Sequence, residues 1–261
     1  MASNQFVKWN LVVLFLLCAS GIVAQEEKKC PVGVNFDFTY ASKYLWRGYD
    51  YYADHGAFQP SITMDYEGFY LGVWGSWPSA SGYEDWTEMD YYGGYSHLFF
   101  PDDRHALSTD LSYTYFDYVK MSNDEDAQEI MLILSMPNLL PLGPGTVIPS
   151  YTLAYDWHGV QGGGHIDDGW FHIFGLAYDF PFQALIPEQE EQYLSLAVDT
   201  TYNDGAYGSE PALSHTTANL STTFEWNQFY FTPATGYQWS HEDTVNDEDE
   251  WFFTLSVGYY F

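Results

Sequence analysis

The sequence predicts an all-β chain folded as an antiparallel, up-and-down transmembrane β-barrel of about 12 strands. Three observations carry that expectation. Apolar and polar residues alternate with period two along most of the chain beyond its N-terminus. Acidic residues inside the alternating segments fall almost entirely on one face, while the other face carries no clear charge. Connections alternate between short turns and longer polar loops. A soluble β-sandwich explains the first observation but not the others, because its solvent face would carry Lys beside Asp.

The N-terminus reads as a secretory signal over residues 1–24. Lys8 precedes an apolar core from Leu11 to about Ala19, and Ile22-Val23-Ala24 offers a cleavage site before Gln25. That core is too short for a spanning helix, and no other segment approaches ~20 apolar residues, so any membrane crossing falls to strands. Leu17, a large residue before Cys18, argues against lipidation. Cys30 is then the single cysteine after the signal, which excludes a disulfide framework. Residues 25–31 form a short N-terminal segment, and 32–261 are assigned to the barrel.

The first strand is read from Val32 to about Ser42, with Val32, Val34, Phe36, Phe38 and Tyr40 opposite Asn35, Asp37 and Thr39. The second runs near Phe58 to Tyr66, and a Glu67-Gly68 turn of hairpin length returns the chain into Phe69–Trp77. The fourth covers Thr87 to His97 and the fifth Leu107 to about Phe116. The sixth, Glu129 to Met136, is nearly all apolar, which leaves its facing open. The seventh, Val147 to Trp157, alternates cleanly. The eighth, Trp170 to Asp179, is ambiguous because His172 shares a face with Phe174, Leu176 and Tyr178. Leu194–Tyr202, Thr216–Glu225, Phe229–Trp239 and Trp251–Phe261 complete the set. The last sets Trp251, Phe253, Leu255, Val257, Tyr259 and Phe261 on one apolar face and ends on an aromatic residue, as an outer-membrane closing strand does.

Short turns are expected at Glu67-Gly68, Pro101–His105 and Trp226-Asn227. Longer polar loops are expected at Tyr49–Ala57, Pro78–Trp86, Val119–Asp126, His158–Asp168, Asn203–Ser214 and Ser240–Asp249. Pro137–Thr146 and Phe180–Gln192 are longer than a periplasmic turn requires. An even strand number places both termini on the periplasmic side.

The inward face is expected to carry Asp37, Asp65, Glu88, Asp90, Asp110, Asp156, Asp199 and Glu225. Tyr70, Trp74, Tyr92, Phe116, Tyr230, Phe252 and Tyr260 share its parity, so the lumen is expected to be narrow or partly filled. The formal charge of −29, with 7 Lys and Arg against 36 Asp and Glu, excludes a nucleic-acid partner, which needs a basic stripe. Aromatic residues make up 20% of the chain, enough for two interfacial girdles or, in a soluble protein, for a sugar-binding surface.

The stretch Ala41-Ser42-Lys43-Tyr44-Leu45-Trp46-Arg47-Gly48 is followed by Gln59-Pro60-Ser61-Ile62 and then by Gly72-Val73-Trp74-Gly75-Ser76. This order resembles the TorF-like family of bacterial porins, with its Ser-x-Tyr-x-x-Arg-Gly element and Gly-x-Trp-x-Ser strand. The likeness is strongest over residues 32–97. It implies an outer-membrane barrel and brings no catalytic residues. By parity Lys43 and Arg47 point inward if the first strand continues above the membrane. Two roles stand open for them: pairing with Asp65, Glu88 or Asp90 to fix the strands, or selecting solutes at a constriction.

Other chemistry finds little support. His158, His165, Asp167 and Asp168 surround Gly162-Gly163-Gly164 in a loop without strand-fixed spacing, and the run Asp243–Glu250 lacks the Gly and spacing of an EF-hand. No metal site and no cofactor is expected. Ser214-His215 and Ser240-His241 are neighbours that alternation would place on opposite faces, so no hydrolytic pair is expected and the chain is not read as an enzyme. The expected function is diffusion of small cations or neutral solutes through a narrow acidic lumen. The alternatives are a non-conducting barrel whose acidic loops bind a partner, divalent cations or glycan, and a soluble sugar-binding protein. Expected partners are outer-membrane lipids, lipopolysaccharide, small solutes, and the barrel-assembly machinery through the strand ending at Phe261. The sequence does not indicate an oligomeric state.

Overall fold

The computed structural model describes residues 32–122, 125–159, 167–189 and 191–261. The signal, Cys18, Cys30 and the segment 25–31 lie outside the described residues. Twelve long strands form the wall: β1 (Gly33–Ala41), β2 (Ala57–Tyr66), β3 (Phe69–Pro78), β4 (Glu88–Phe99), β5 (Leu107–Asp117) and β6 (Ala127–Ser135). The second half comprises β7 (Gly145–His158), β8 (Gly169–Phe182), β9 (Gln192–Asp204), β10 (Ala212–Thr222), β11 (Phe229–Ser240) and β12 (Glu250–Tyr260). Each pairs antiparallel with its sequence neighbour, and β1 pairs with β12 in the register Asn35↔Tyr260 through Ala41↔Thr254. The sheet is therefore a closed barrel with no free edge. Among the described residues no helix is long and apolar enough to cross a membrane.

Alternation sets what each face carries. On β12, Trp251, Phe253, Leu255 and Val257 are exposed on the outside, while Glu250, Phe252 and Ser256 are buried inside. The outside of the other strands is similarly apolar, as at Phe36, Ile62, Leu71, Leu111, Leu176 and Leu196. The inside is lined with Ser, Thr, Asn and acids, including Asn35, Asp37, Ser61, Ser112, Thr114, Thr217 and Asn219. Apolar outside and polar inside is the arrangement of a membrane barrel and the reverse of a soluble one.

The structure settles the two strands whose facing the sequence leaves open. On β6, Glu129, Met131 and Ser135 are buried inward and Ile130 is exposed outward. On β8, Phe171 and Ile173 point inward and Trp170, Phe174 and Leu176 outward. His172 lies with the outward set, its Nδ1 2.7 Å from the Tyr151 hydroxyl of β7, so a lipid-side imidazole has a polar partner.

Two connections are longer than bare turns because they contain structure of their own. Leu140–Leu142 pairs with the start of β7, turning at Gly143, and Phe224–Trp226 pairs with the start of β11. Tyr49–Ala57, expected as an external loop, is a correction. The chain between β1 and β2 folds into the barrel, where Tyr44, Leu45, Trp46 and Tyr52 are buried. A buried apolar cluster lies there, at the end of the barrel remote from the termini, and joins Tyr44, Trp46 and Tyr52 to Phe116, Tyr118, Met131 and Phe171.

Candidate functional site

The inward segment is a small β-hairpin. Leu45–Trp46 pairs with Tyr49–Asp50, and Arg47-Gly48 forms the two-residue turn with φ of 48° and 96°. Positive φ at both positions is the type I′ geometry that closes tight hairpins. It costs Arg47 strain that Gly48 avoids. A side chain at Gly48 would also collide with its surroundings, because an added Cβ would lie 2.7 Å from His215 Nδ1 and 2.8 Å from Val245 Cγ1.

The hairpin spans the lumen from wall to wall. It leaves the wall between β1 and β2, and its tip reaches β6 and β7, five strands round the ring of twelve. There the buried Arg47 guanidinium donates to Glu129 and, at 3.4 Å, to Asp156 Oδ1. Its central carbon lies 4.8 Å from the Trp46 ring centroid and 4.5 Å from that of Phe171. Burial works against the Arg47 charge, but the fields of Glu129 and Asp156 outweigh it and hold the group protonated. Tyr207, from the loop after β9, donates to the other oxygen of Asp156 at 2.9 Å.

Contacts along the hairpin reach the rest of the wall. Tyr52 donates to Ser76 of β3 at 3.0 Å and Tyr44 to Glu88 of β4 at 2.6 Å. Burial and then the Glu88 charge push the Tyr44 hydroxyl upward, keeping it a donor. The Trp46 ring meets Phe116 of β5 and Phe171 of β8 edge-on. Asn203 of β9 donates to the Tyr49 hydroxyl at 3.3 Å, and Gln238 of β11 donates to the Gly48 carbonyl at 2.9 Å. At the hairpin's base Lys43 is bonded to Asp54 and to Glu250 of β12.

These partners correct the expected ones. Lys43 and Arg47 pair with none of Asp65, Glu88 or Asp90. Strand parity stops applying once the chain leaves β1 and turns inward, and the turn carries Arg47 across the barrel instead of along its own wall. Charge is distributed accordingly. The described residues hold four cations, Lys43, Arg47, Arg104 and Lys120. Arg104 lies exposed in a turn at the terminus-proximal end, bonded to the Leu139 carbonyl, and Lys120 is exposed in the loop before β6. Within the described lumen, the cations are those of the hairpin segment.

Glu88, Asp90 and Asp156 surround the hairpin, and Trp74 packs against Tyr44 with ring centroids 5.8 Å apart. No side chain donates to either oxygen of the fully buried Asp90. Other expected lining residues sit deeper. Asp37, midway along β1, accepts from Tyr230 at 2.8 Å and from Thr39 at 2.8 Å. Asp110 accepts from Tyr70 at 2.7 Å. Asp199 is buried midway along β9, and Asp65 and Glu225 lie towards the terminus-proximal rim. Glu129 escaped sequence reasoning because its strand is nearly all apolar. One acid opening such a run was the available signal.

Ser214 and His215 are a second correction. The β9–β10 register shifts between Thr201 and Tyr202, pairing Thr201 with His215 and Tyr202 with Leu213. Ser214 is the extra residue of a β-bulge, so both side chains are buried, with Oγ 2.9 Å from Nδ1. Asp50, Asp54 and Glu250 form a carboxylate group of metal-holding size, but the Lys43 ammonium already bonds two of its members. At the end of β7, His158 Nδ1 lies 3.1 Å from Asp168. His165 and Gly162–Gly164 lie outside the described residues.

A family model described as a bacterial protein of unknown function, Gcw_chp, matches residues 25–210. No curated protein matches the chain in sequence. Among solved structures the barrel is similar to the KdgM porin, with a TM-score of 0.52 and 10% identity over 86% of this chain and 98% of that one. It is also similar to the NanC porin, with a TM-score of 0.50 and 7% identity over 87% and 98% of the respective chains. At such identities the likeness is one of fold.

Proposed function

We propose, from the premise that the chain belongs to the Gcw_chp family of bacterial proteins, that it is an outer-membrane porin of small conductance. It passes small cations or neutral solutes through an acidic lumen narrowed at its outer end by the Leu45–Asp50 hairpin. One observation carries this reading: a closed barrel with an apolar exterior has a polar interior where acids recur at every depth. Such a wall concentrates cations and repels anions. Asp37, Asp65, Asp110, Asp199 and Glu225 are among the acids that line the lumen below the hairpin. The fold shared with the KdgM and NanC porins supports the reading, as does the resemblance of the Ser42–Gly48 element to TorF-like porins. Residues 1–24 would direct export, and the strand ending at Phe261 would engage the assembly machinery.

A second reading is favoured by the depth to which the hairpin buries the outer lumen, with Tyr52 and Asp90 both at 0% exposure. In it the barrel does not conduct, and its acidic loops bind a partner, divalent cations or glycan. Refolded protein in a planar bilayer under a KCl gradient separates the two. Small stable current steps with a cation-selective reversal potential support the porin. Insertion without steps supports the sealed barrel.

A further inference from the structure

The residues that hold Arg47 belong to the barrel wall and the loop beside it. Without the hairpin they would form a compact site. Glu129 of β6 and Asp156 of β7 present carboxylates whose side chains are 1% and 0% exposed. Phe171 of β8 presents a ring face, and Met131 a thioether 3.9 Å from Arg47 Nη2. Tyr207 holds the second oxygen of Asp156, which leaves the first directed at the guanidinium. Carboxylates in reach of the N–H edge and an aromatic ring against the face suit a flat organic cation. A bare metal ion would gain nothing from Phe171 and would lack the oxygen count that hard cations need.

We propose that this is a recognition site for guanidinium-type solutes, and that Arg47 occupies it as a tethered internal ligand. A guanidinium solute entering from outside competes with Arg47 for Glu129, Asp156 and the Phe171 face, and its binding frees the hairpin tip. The site thereby names the class of cation the channel accepts, and to that extent rests on the porin reading. Arg47 on its short tether competes at an effective concentration of order millimolar, so solute binding to the intact protein is weak. Removing the Arg47 side chain exposes the intrinsic affinity.

The test is calorimetric titration of methylguanidinium chloride into the full chain refolded in detergent, with tetramethylammonium as control. Folding is checked by heat-modifiable gel mobility. Arg47→Ala is expected to bind methylguanidinium saturably, at least about tenfold more tightly than the unaltered protein. Adding Glu129→Gln to Arg47→Ala is expected to abolish that binding. A folded Arg47→Ala protein without saturable binding overturns the proposal, as does binding that survives Glu129→Gln or is equalled by tetramethylammonium. If Arg47→Ala does not fold alone, refolding with methylguanidinium must restore it, and failure of that rescue also overturns the proposal. Current recordings judge the porin reading separately. Binding without current removes the porin and leaves the site, whereas current without binding removes the site alone.

Discussion

Arg47 concentrates the chemistry of the molecule in one side chain. It combines a strained backbone, two buried carboxylates and two ring faces. Breaking a buried pair from one side leaves the other side's charge uncompensated, at a cost of about 3–5 kcal/mol. Arg47→Ala is therefore expected to undock the hairpin, visible as fast hydrogen exchange over residues 44–52 while the strands stay protected. Arg47→Lys is expected to restore only part of the protection, because an ammonium cannot serve both carboxylates in the guanidinium's planar fork. Gly48→Ala meets both a positive φ and a Cβ too close to His215 and Val245. Its expected cost is about 1–3 kcal/mol, read from the same exchange profile. At this scale the sequence exposed Lys43 and Arg47 as the conspicuous inward cations but misassigned their partners. Parity predicts neighbours only while a residue remains in its strand, and nothing in Trp46-Arg47-Gly48-Tyr49 marks the direction of the departing chain.

Strands were the most legible elements, because a membrane barrel gives each side of each strand a different solvent. On β12 the exposed Leu255 and buried Ser256 stand where alternation places them. A charge at Leu255 would meet hydrocarbon. Leu255→Arg is expected to destabilise the barrel by about 2–4 kcal/mol, measured by urea unfolding in lipid vesicles. The less legible elements have physical causes. β6 carries apolar residues on both faces, since its inner side packs Met131 and Ile133 against the hairpin cluster instead of meeting water. The bulge at Ser214 adds a residue without any compositional mark, which is why Ser214 and His215 seemed to face apart. Both exceptions lie on strands that touch the hairpin. Alternation weakens where a protein segment takes the place of water inside the barrel.

At the scale of the whole molecule, the closed barrel was legible in three independent patterns: alternation, loop lengths and placement of acids. Its internal closure was only partly legible. Inward aromatics predicted a narrow or partly filled lumen, but the filling came from residues 44–52, read as an upward extension of the first strand running into an external loop. The field inside follows from the same arrangement. Below the hairpin, Asp37 and Asp199 lie midway along β1 and β9, four strands apart in the ring, and the cations of the described lumen are confined to the hairpin segment. Asp37→Asn and Asp199→Asn together are expected to lower the cation-to-anion permeability ratio several-fold, read from reversal potential, with the effect shrinking at high salt.

The central claim is that the Leu45–Asp50 hairpin governs passage through the outer end of the barrel. Single-channel recording tests it most directly, comparing the unaltered protein with one whose residues 44–52 are replaced by a flexible Gly-Ser linker of equal length. Small steps in the first and cation-selective steps at least about threefold larger in the second are expected, because removing the crossbar widens the narrowest section. Equal conductance in two proteins that are both folded and inserted would contradict the claim, since the hairpin would then lie outside the conducting path.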